Sequence, residues 1–135
     1  MKYVFIVNPV AGNDNKAKIF SRIKSTFRLI DDEMIVEPTH AQGEAKLIAE
    51  KYATEYGSDC VIVSCGGDGT VNEIANGIAG FPNAAMTCIP IGTGNDFLKN
   101  FGKDAEPLFL DAENLWNGDV TPLDLIDCNG KYCLT

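Results

Sequence analysis

Residues 65–73 read CGGDGTVNE and directly follow the apolar run VIVS at residues 61–64. A strand that turns into a helix through several glycines brings backbone N–H groups close to a ligand, because glycine has no side chain. The first N–H groups of a helix lack partners within the helix, and the helix dipole makes that end attractive to anions. The stretch therefore predicts an anion site built on Gly66, Gly67, Gly69 and Thr70.

Asp68 lies inside this predicted anion site. Its carboxylate would repel a phosphate by about 1 kcal/mol or more at contact distance unless a cation separated the two charges. Mg²⁺ is commonly held by one or two carboxylates together with water and phosphate oxygens, so Asp68 is the candidate magnesium ligand. A simpler interpretation stays open, in which Asp68 is a turn aspartate bonded to its own backbone.

The helix that follows also has a purely structural interpretation. Thr70 and Glu73 fit a capping box, in which the threonine caps the first turn and the glutamate bonds back to it. A capping box would account for these two residues. It would not account for three glycines around Asp68.

Strand-like and helix-like segments alternate along the rest of the chain. Runs rich in β-branched and aromatic residues at 2–7, 33–37, 60–64 and 86–90 predict strands. Apolar residues at helical spacing predict helices over 15–29, 44–56, 70–79 and 106–116, with a shorter turn at 97–101. This order is typical of α/β proteins, so we expect a mostly parallel sheet with helices on both faces.

Three glycine-containing loops follow three of these strands: NPVAGN at residues 8–13, CGGDGT at 65–70 and IGTGND at 91–96. Ligands of open α/β sheets bind beyond the carboxyl ends of the strands, so the three loops should meet at one edge of the sheet. The chain has no G-x-x-x-x-G-K-[ST] motif and no complete G-x-G-x-x-G motif. The predicted site is therefore neither a P-loop nor a dinucleotide-binding fingerprint.

The last segment, DLIDCNGKYCLT at residues 124–135, forms two short runs around Asn129-Gly130, a strong signal for a two-residue β-hairpin. In that register Cys128 faces Lys131 rather than Cys133, which disfavours a disulfide across the hairpin. An isolated hairpin is marginal in water. We therefore expect an α/β domain over residues 1–122 and a hairpin over 123–135 that begins a further domain or pairs with a second chain in a homodimer.

The composition limits the partners. The chain has 135 residues and a formal net charge of −8, so it has no general attraction to nucleic acid, and a polyanionic ligand must be held locally. Its five cysteines show no C-x-x-C spacing, which favours free thiols in a reducing cytoplasm over a disulfide or zinc framework. No stretch approaches the roughly 20 apolar residues that span a bilayer, so we expect a cytoplasmic protein that contacts membranes only at their surface.

Four ordered motifs together resemble the catalytic domain of diacylglycerol kinases and related bacterial lipid kinases. They are NPVAG at residues 8–12, PTHAQGEA at 38–45, GGDGTVNEIANG at 66–77 and PIGTGNDFLKNFG at 90–102. The tail DLIDCNGKYCLT is similar to the family's crossing into its second, β-rich domain. GGDGT alone is shared with NAD kinases, so the combination carries the resemblance.

The resemblance implies ATP as the nucleotide and Mg²⁺ as the metal, with Asp68 organising the metal and the phosphates. It also implies a set of nucleotide-binding residues in the three loops and in the threonine-containing segment after the second strand. These are Asn8, Pro9, Gly12, Thr39, Gly66, Gly67, Gly69, Thr70, Asn72, Glu73, Thr93 and Asn95.

The reaction that the resemblance implies is transfer of the γ-phosphoryl group of ATP to the hydroxyl of diacylglycerol or a similar lipid at the membrane surface. In the family, the lipid pocket and the aspartate thought to be the general base lie largely in the second domain. Residues 1–135 alone should therefore show weak or no kinase activity. Two alternatives stay open: an NAD kinase-like nucleotide kinase and a non-catalytic nucleotide-binding module.

Overall fold

The computed structural model describes residues 1–9, 18, 21, 23–25, 33–91, 96–102, 105, 107, 109, 122 and 125–133. Within these residues lie a four-stranded sheet, a two-stranded sheet and several helical segments. The strands are β1 (Lys2–Val7), β2 (Glu33–Pro38), β3 (Cys60–Gly66), β4 (Ala85–Pro90), β5 (Ile126–Cys128) and β6 (Lys131–Cys133). Helical segments include α1 (Glu44–Tyr56), α2 (Asp68–Ile78) and 3₁₀ turns at Gly57–Asp59 and Asp96–Phe101.

The four-stranded sheet has the order β2-β1-β3-β4, and every neighbouring pair is parallel. Its central strands are near-continuous runs of apolar residues, which suits a parallel sheet buried on both faces. The prediction of a mostly parallel α/β sheet is thus confirmed. The predicted strand limits agree with the observed ones to within two residues, the largest difference being the extension of β3 to Gly66.

Alternate residues of β1 point into two separate cores. Tyr3 and Phe5 lie in one core, which contains the helical residue Ile23 from the first connection. Val4 and Ile6 lie in the other, together with buried residues of α1 and α2. Because side chains alternate along a strand, a buried central strand contributes to both layers. Helices therefore lie on both faces of the sheet, as the sequence predicts.

The order of the strands explains the placement of the helices. The chain moves outward from β1 to β2, then crosses back past β1 to β3 and continues to β4. Connections between parallel strands are right-handed in nearly all proteins, so a reversal of direction moves the connecting helices to the opposite face. Both α1 and α2 follow the reversal, share one face and pack against each other.

Two of the predicted helices fall mainly on residues outside the described part of the chain. Within 15–29, residues 18, 21 and 23–25 are helical, and within 106–116, residues 107 and 109 are helical. The helix predicted for 44–56 has those bounds, whereas the helix predicted to begin at Thr70 begins at Asp68. Gly67 is extended and marks that boundary.

The predicted hairpin is confirmed. Asn129 and Gly130 have φ values of 55° and 86°, and positive φ at both central residues is what a type I′ turn requires. Cys128 lies opposite Lys131, as predicted. The domain boundary at 122 and a β-rich domain beyond the hairpin stay predictions.

Three cysteines belong to the cores. Cys60, Cys65 and Cys88 are buried free thiols. Burial raises the pKa of Cys65, and burial together with the nearby charge of Asp68 raises the pKa of Cys88 to about 12. These two thiols are protonated at neutral pH, so they act as apolar packing groups. Among the described residues, the helices are too short or too polar to cross a membrane.

The two helices on the shared face come unusually close at Gly77 of α2. A Cβ atom at that position would lie 2.5 Å from the carbonyl oxygen of Lys46 and 3.0 Å from Cβ of Ala49, both on α1. A side chain at position 77 would therefore force the backbones of α1 and α2 apart. The absence of a side chain at Gly77 therefore sets the spacing between α1 and α2.

We expect Gly77→Ala to lower the free energy of unfolding by about 1–3 kcal/mol, because overpacking outweighs the better helix propensity of alanine. Chemical denaturation measures the change. Gly80→Ala is the matched control, since a Cβ there meets nothing within 4 Å. Equal stability of the two variants would contradict the proposed close contact.

Candidate functional site

The carboxyl ends of the four parallel strands form one edge of the sheet. The register places Val7 beside both Pro38 and Cys65, and Gly66 beside Pro90, so the strand ends are level. The reversal of the chain between β1 and β3 leaves a crevice at this edge. Ligands of open α/β sheets bind at such a reversal point, which makes the crevice the candidate site.

The residues after β1 and β2 are fixed over the crevice by backbone hydrogen bonds. The N–H of Asn8 donates to the carbonyl of Cys65 at 3.0 Å, and the N–H of Thr39 donates to the carbonyl of Val7 at 2.9 Å. The hydroxyl of Thr39 donates to the same carbonyl at 3.4 Å. Asn8 and Thr39 thus lie at the same edge, next to the exposed Pro9.

Gly66, the last residue of β3, makes the closest packing at this edge. A Cβ atom there would lie 2.5 Å from Oγ1 of Thr70, 2.9 Å from its Cβ, and 3.3 Å from Cβ of Asn8. The buried side chain of Thr70 therefore occupies the space that any larger residue at position 66 would need. This contact seats the first turn of α2 directly on the end of β3.

The start of α2 differs from the capping-box interpretation. The helix begins at Asp68 with Gly67 as its N-cap, and no side chain caps that end. Thr70 is therefore inside the helix rather than its cap, and the capping-box interpretation is wrong. Gly67 has φ −92° and ψ −165°, an extended conformation that does not require glycine. The N-terminus of α2 offers its first N–H groups beside the crevice, at Gly67–Gly69.

Glu73 connects α2 to the segment before α1. Its carboxylate oxygen Oε1 accepts a hydrogen bond from the N–H of Gly43, which has φ +92°. The same segment is tied down by a second carboxylate, since Glu44 Oε2 accepts from the N–H of His40 at 2.8 Å. These bonds fix the loop that carries Thr39. Glu73 therefore has a positioning contact across elements rather than a bond to its own helix end.

Asp68 connects the central glycine loop to the 3₁₀ turn Asp96–Phe101. Its Oδ1 accepts a hydrogen bond from the N–H of Phe97 at 3.2 Å, and the side chain is half-buried. Phe97 begins the apolar part of the 3₁₀ turn and is almost fully buried with Leu98. The carboxylate thus lies in the first turn of α2, where the helix dipole stabilises a negative charge. This bond runs to the distant 3₁₀ turn and not to the aspartate's own turn.

Three predicted site residues, Gly12, Thr93 and Asn95, lie outside the described residues. The other predicted residues flank the crevice or lie on the first two turns of α2: Asn8, Pro9, Thr39, Gly66, Gly67, Asp68, Gly69, Thr70, Asn72 and Glu73. Within the described part of the chain, no group of three His, Cys, Asp or Glu side chains is placed to hold a metal ion. A cation bound at Asp68 would therefore need oxygen ligands from elsewhere, such as phosphate and water.

One polar side chain with long-range contacts was missed by the sequence reasoning. Asn76, two turns after Asp68 on α2, donates from Nδ2 to the carbonyl of Tyr132 at 2.7 Å and accepts at Oδ1 from the N–H of Tyr132 at 2.8 Å. Asparagine is unfavourable in a helix interior, because its side chain competes for backbone bonds. That mismatch with the helix was the available signal.

This chain is similar to known proteins in both sequence and structure. The family model for the diacylglycerol kinase catalytic domain matches residues 2–128. The diacylglycerol kinase of Bacillus subtilis strain 168 is 32% identical over 128 residues, which cover 94% of this chain and 42% of the relative. The diacylglycerol kinase of Staphylococcus haemolyticus is 37% identical over 134 residues, which cover 94% of this chain and 38% of the relative.

A solved structure is also similar to this fold. The crystal structure of a diacylglycerol kinase from Bacillus anthracis str. Sterne superposes with a TM-score of 0.79 at 28% identity. The match covers 97% of this chain and 45% of that chain. The chain thus spans about two fifths of the length of its curated relatives and just under half of the similar structure.

We expect Gly66→Ala to destabilise the fold by about 1–3 kcal/mol, because the added methyl group collides with Thr70 and Asn8. Thermal or chemical denaturation measures the loss. The neighbouring variant Gly67→Ala is the control: a Cβ there meets nothing within 4 Å, and the backbone is extended. A larger loss for Gly67→Ala than for Gly66→Ala would contradict this packing.

Proposed function

Since this chain belongs to the diacylglycerol kinase catalytic-domain family, we propose that it is the ATP-binding part of a kinase that transfers the γ-phosphoryl group of ATP to the hydroxyl of diacylglycerol or a similar lipid. In this proposal residues 1–122 bind the nucleotide, and the hairpin within 123–135 begins a further domain. The observation that carries the proposal is the uncapped N-terminus of α2, which opens beside the crevice with a carboxylate in its first turn.

The triphosphate is proposed to bind at the first turn of α2. Gly67 and Gly69 place no side chain on either side of Asp68, and a Cβ at either glycine would meet open space. Unpaired N–H groups and the positive end of the helix dipole then favour phosphate oxygens. This local attraction is needed because the whole chain carries a net charge of −8 and repels a polyanion at long range.

Asp68 is proposed to hold Mg²⁺ together with phosphate oxygens and water. One carboxylate without a surrounding cluster of ligands fits this use, because Mg²⁺ in phosphoryl-transfer sites keeps several water and phosphate ligands. The bond from Phe97 fixes one carboxylate oxygen, which orients the other for the cation. When bound, Mg²⁺ neutralises charge on the phosphates.

The surrounding residues have distinct proposed roles. Asn8, Pro9 and Gly12 form the first nucleotide loop, and Thr93 and Asn95 form the third. Thr39 approaches the phosphates from the segment that Glu73 holds in place through Gly43. Thr70 and Asn72 are the remaining proposed site residues on α2. Thr70 acts by packing the start of the helix against Gly66.

The lipid pocket and the general base are proposed to lie outside residues 1–135, so the complete reaction belongs to the full-length gene product. Catalysis of phosphoryl transfer depends mainly on positioning and on charge neutralisation. In this proposal the nucleotide-binding residues of this chain position the triphosphate and neutralise its charge. Assays that offer diacylglycerol or NAD to the full-length gene product separate the proposed lipid kinase from an NAD kinase-like enzyme.

We expect ATP to bind the 135-residue chain at least about tenfold more tightly with Mg²⁺ than without it, or about 1.4 kcal/mol. In Asp68→Asn this metal dependence should fall below about twofold, because the amide loses the charge that holds the cation. Isothermal titration with and without EDTA measures both ratios. The fold should persist, since the amide oxygen of asparagine can still accept the bond from Phe97.

The charge-matched control for this experiment is Asp59→Asn, an exposed residue in the 3₁₀ turn before β3. It removes the same charge and should keep the full metal dependence. If the unsubstituted chain bound ATP equally tightly with and without Mg²⁺, the result would contradict the role of Asp68. It would favour a non-catalytic nucleotide-binding module.

We expect Gly69→Ala to weaken ATP binding by at least about tenfold, or 1.4 kcal/mol, while thermal stability stays the same or rises. Alanine is the better helix former, and the added methyl group meets nothing in the free protein. It would, however, project from the turn where the phosphates are proposed to bind. Gly80→Ala is the control for binding. Unchanged ATP affinity in Gly69→Ala would contradict phosphate binding at this turn.

A further inference from the structure

The contact between Asn76 and Tyr132 joins two parts of the chain that are 56 residues apart. Asn76 is half-buried near the end of α2, and Tyr132 is the middle residue of β6. Both backbone groups of Tyr132 bond to the one side chain: its N–H donates to Oδ1 and its carbonyl accepts from Nδ2. A side-chain amide thus pairs with the strand as a neighbouring strand would.

The orientation of this amide is fixed by three bonds. Besides its two bonds to Tyr132, Nδ2 of Asn76 donates to the carbonyl of Asn72 one turn earlier at 2.7 Å. An amide turned by 180° would place its oxygen against two carbonyl oxygens and its nitrogen against an N–H group. Since an amide oxygen only accepts and an amide nitrogen only donates, that alternative loses all three bonds.

The hairpin needs such an anchor. In the β5–β6 pair, Cys128 and Lys131 close the two-residue turn, and Tyr132 lies opposite Asp127. Residues next to the closing pair of a hairpin have N–H and C=O groups that point away from the partner strand. Asn76 therefore occupies the outer edge of β6. A two-stranded hairpin is marginal in water, so docking on α2 determines where it lies.

We propose that Asn76 is a positioning residue, which fixes the β5–β6 hairpin on α2 so that the hairpin and the first turn of that helix form one rigid unit. The link to phosphates rests on the proposed function, which places them at that first turn. Asp68 and Asn76 are eight residues apart on the helix, or about 12 Å at the usual rise. Any segment of the full-length gene product that follows the hairpin takes its position relative to the nucleotide from this anchor.

The first test measures hydrogen exchange of the Tyr132 amide in the 135-residue chain by NMR. Asn76→Ala removes all three bonds and improves helix propensity, so a weaker helix cannot explain a loss of protection. We expect the Tyr132 protection factor to fall at least tenfold, while amides of Val4 and Ile62 in the central sheet change less than twofold. Asn83→Ala, in the exposed turn before β4, should leave all of these amides unchanged.

Asn76→Asp supplies a second readout that depends on the hydrogen-bond donor. At neutral pH its carboxylate can still accept from the N–H of Tyr132, but it repels the carbonyl oxygens of Asn72 and Tyr132, so protection at Tyr132 should fall. The protonated carboxyl regains a donor, so protection should return as the pH falls through the pKa of the new side chain. Protection at Tyr132 that stays within twofold of the original in Asn76→Ala overturns the proposal. An equal loss of amide protection at Tyr132, Val4 and Ile62 also overturns the proposal.

Two further measurements separate this proposal from the proposed function. ATP affinity of Asn76→Ala should stay within twofold of the unsubstituted chain, because the first turn of α2 is untouched. In the full-length gene product, kcat for lipid phosphorylation should fall at least tenfold with little change in KM for ATP. An unsubstituted chain that binds no ATP refutes the proposed function, while Tyr132 exchange still decides the anchor. Unchanged kcat with an undocked hairpin refutes the positioning role.

Discussion

The fit between Gly66 and Thr70 is the constraint on which the site depends. The side chain of Thr70, in the first turn of α2, packs against Gly66 at the end of β3, and Asn8, the residue after β1, packs against the same position. Because the interior is close-packed, a strand end and a helix start that touch this closely have little freedom to shift. The end of β3, the residue after β1 and the start of α2 are therefore held in fixed relative positions at the candidate site.

The helix α2 collects contacts from four separate parts of the chain. Its first turn bonds to the 3₁₀ turn Asp96–Phe101 through Asp68 and Phe97, and its second turn bonds to the segment before α1 through Glu73 and Gly43. Its third turn bonds to the hairpin, and Gly77 lies against α1. A hydrogen bond typically contributes about 1 kcal/mol to stability, so these bonds serve orientation more than stability.

The chain is acidic as a whole, and the start of α2 is a local place within the described residues that favours anions. A net charge of −8 gives no long-range attraction to a nucleotide, in contrast to proteins that use basic surfaces. Backbone N–H groups at a helix start are fixed dipoles and keep their direction regardless of pH. Together with a carboxylate that can hold a divalent cation, they offer an anion site that a negatively charged protein can maintain.

The sequence by itself determined the strands, their parallel arrangement, the helix at 44–56 and the hairpin turn, because these follow from local periodicity, turn chemistry and the handedness of connections. It also carried the family resemblance that the comparison of residues 2–128 confirms. Only the tertiary structure decided that Gly66 rather than Gly67 is sterically constrained, that Glu73 reaches Gly43, and that Asn76 holds Tyr132. The physical reason is the distance along the chain over which each effect acts. Propensities act within a few residues, whereas these contacts form because the packing of helices and strands brings distant residues together.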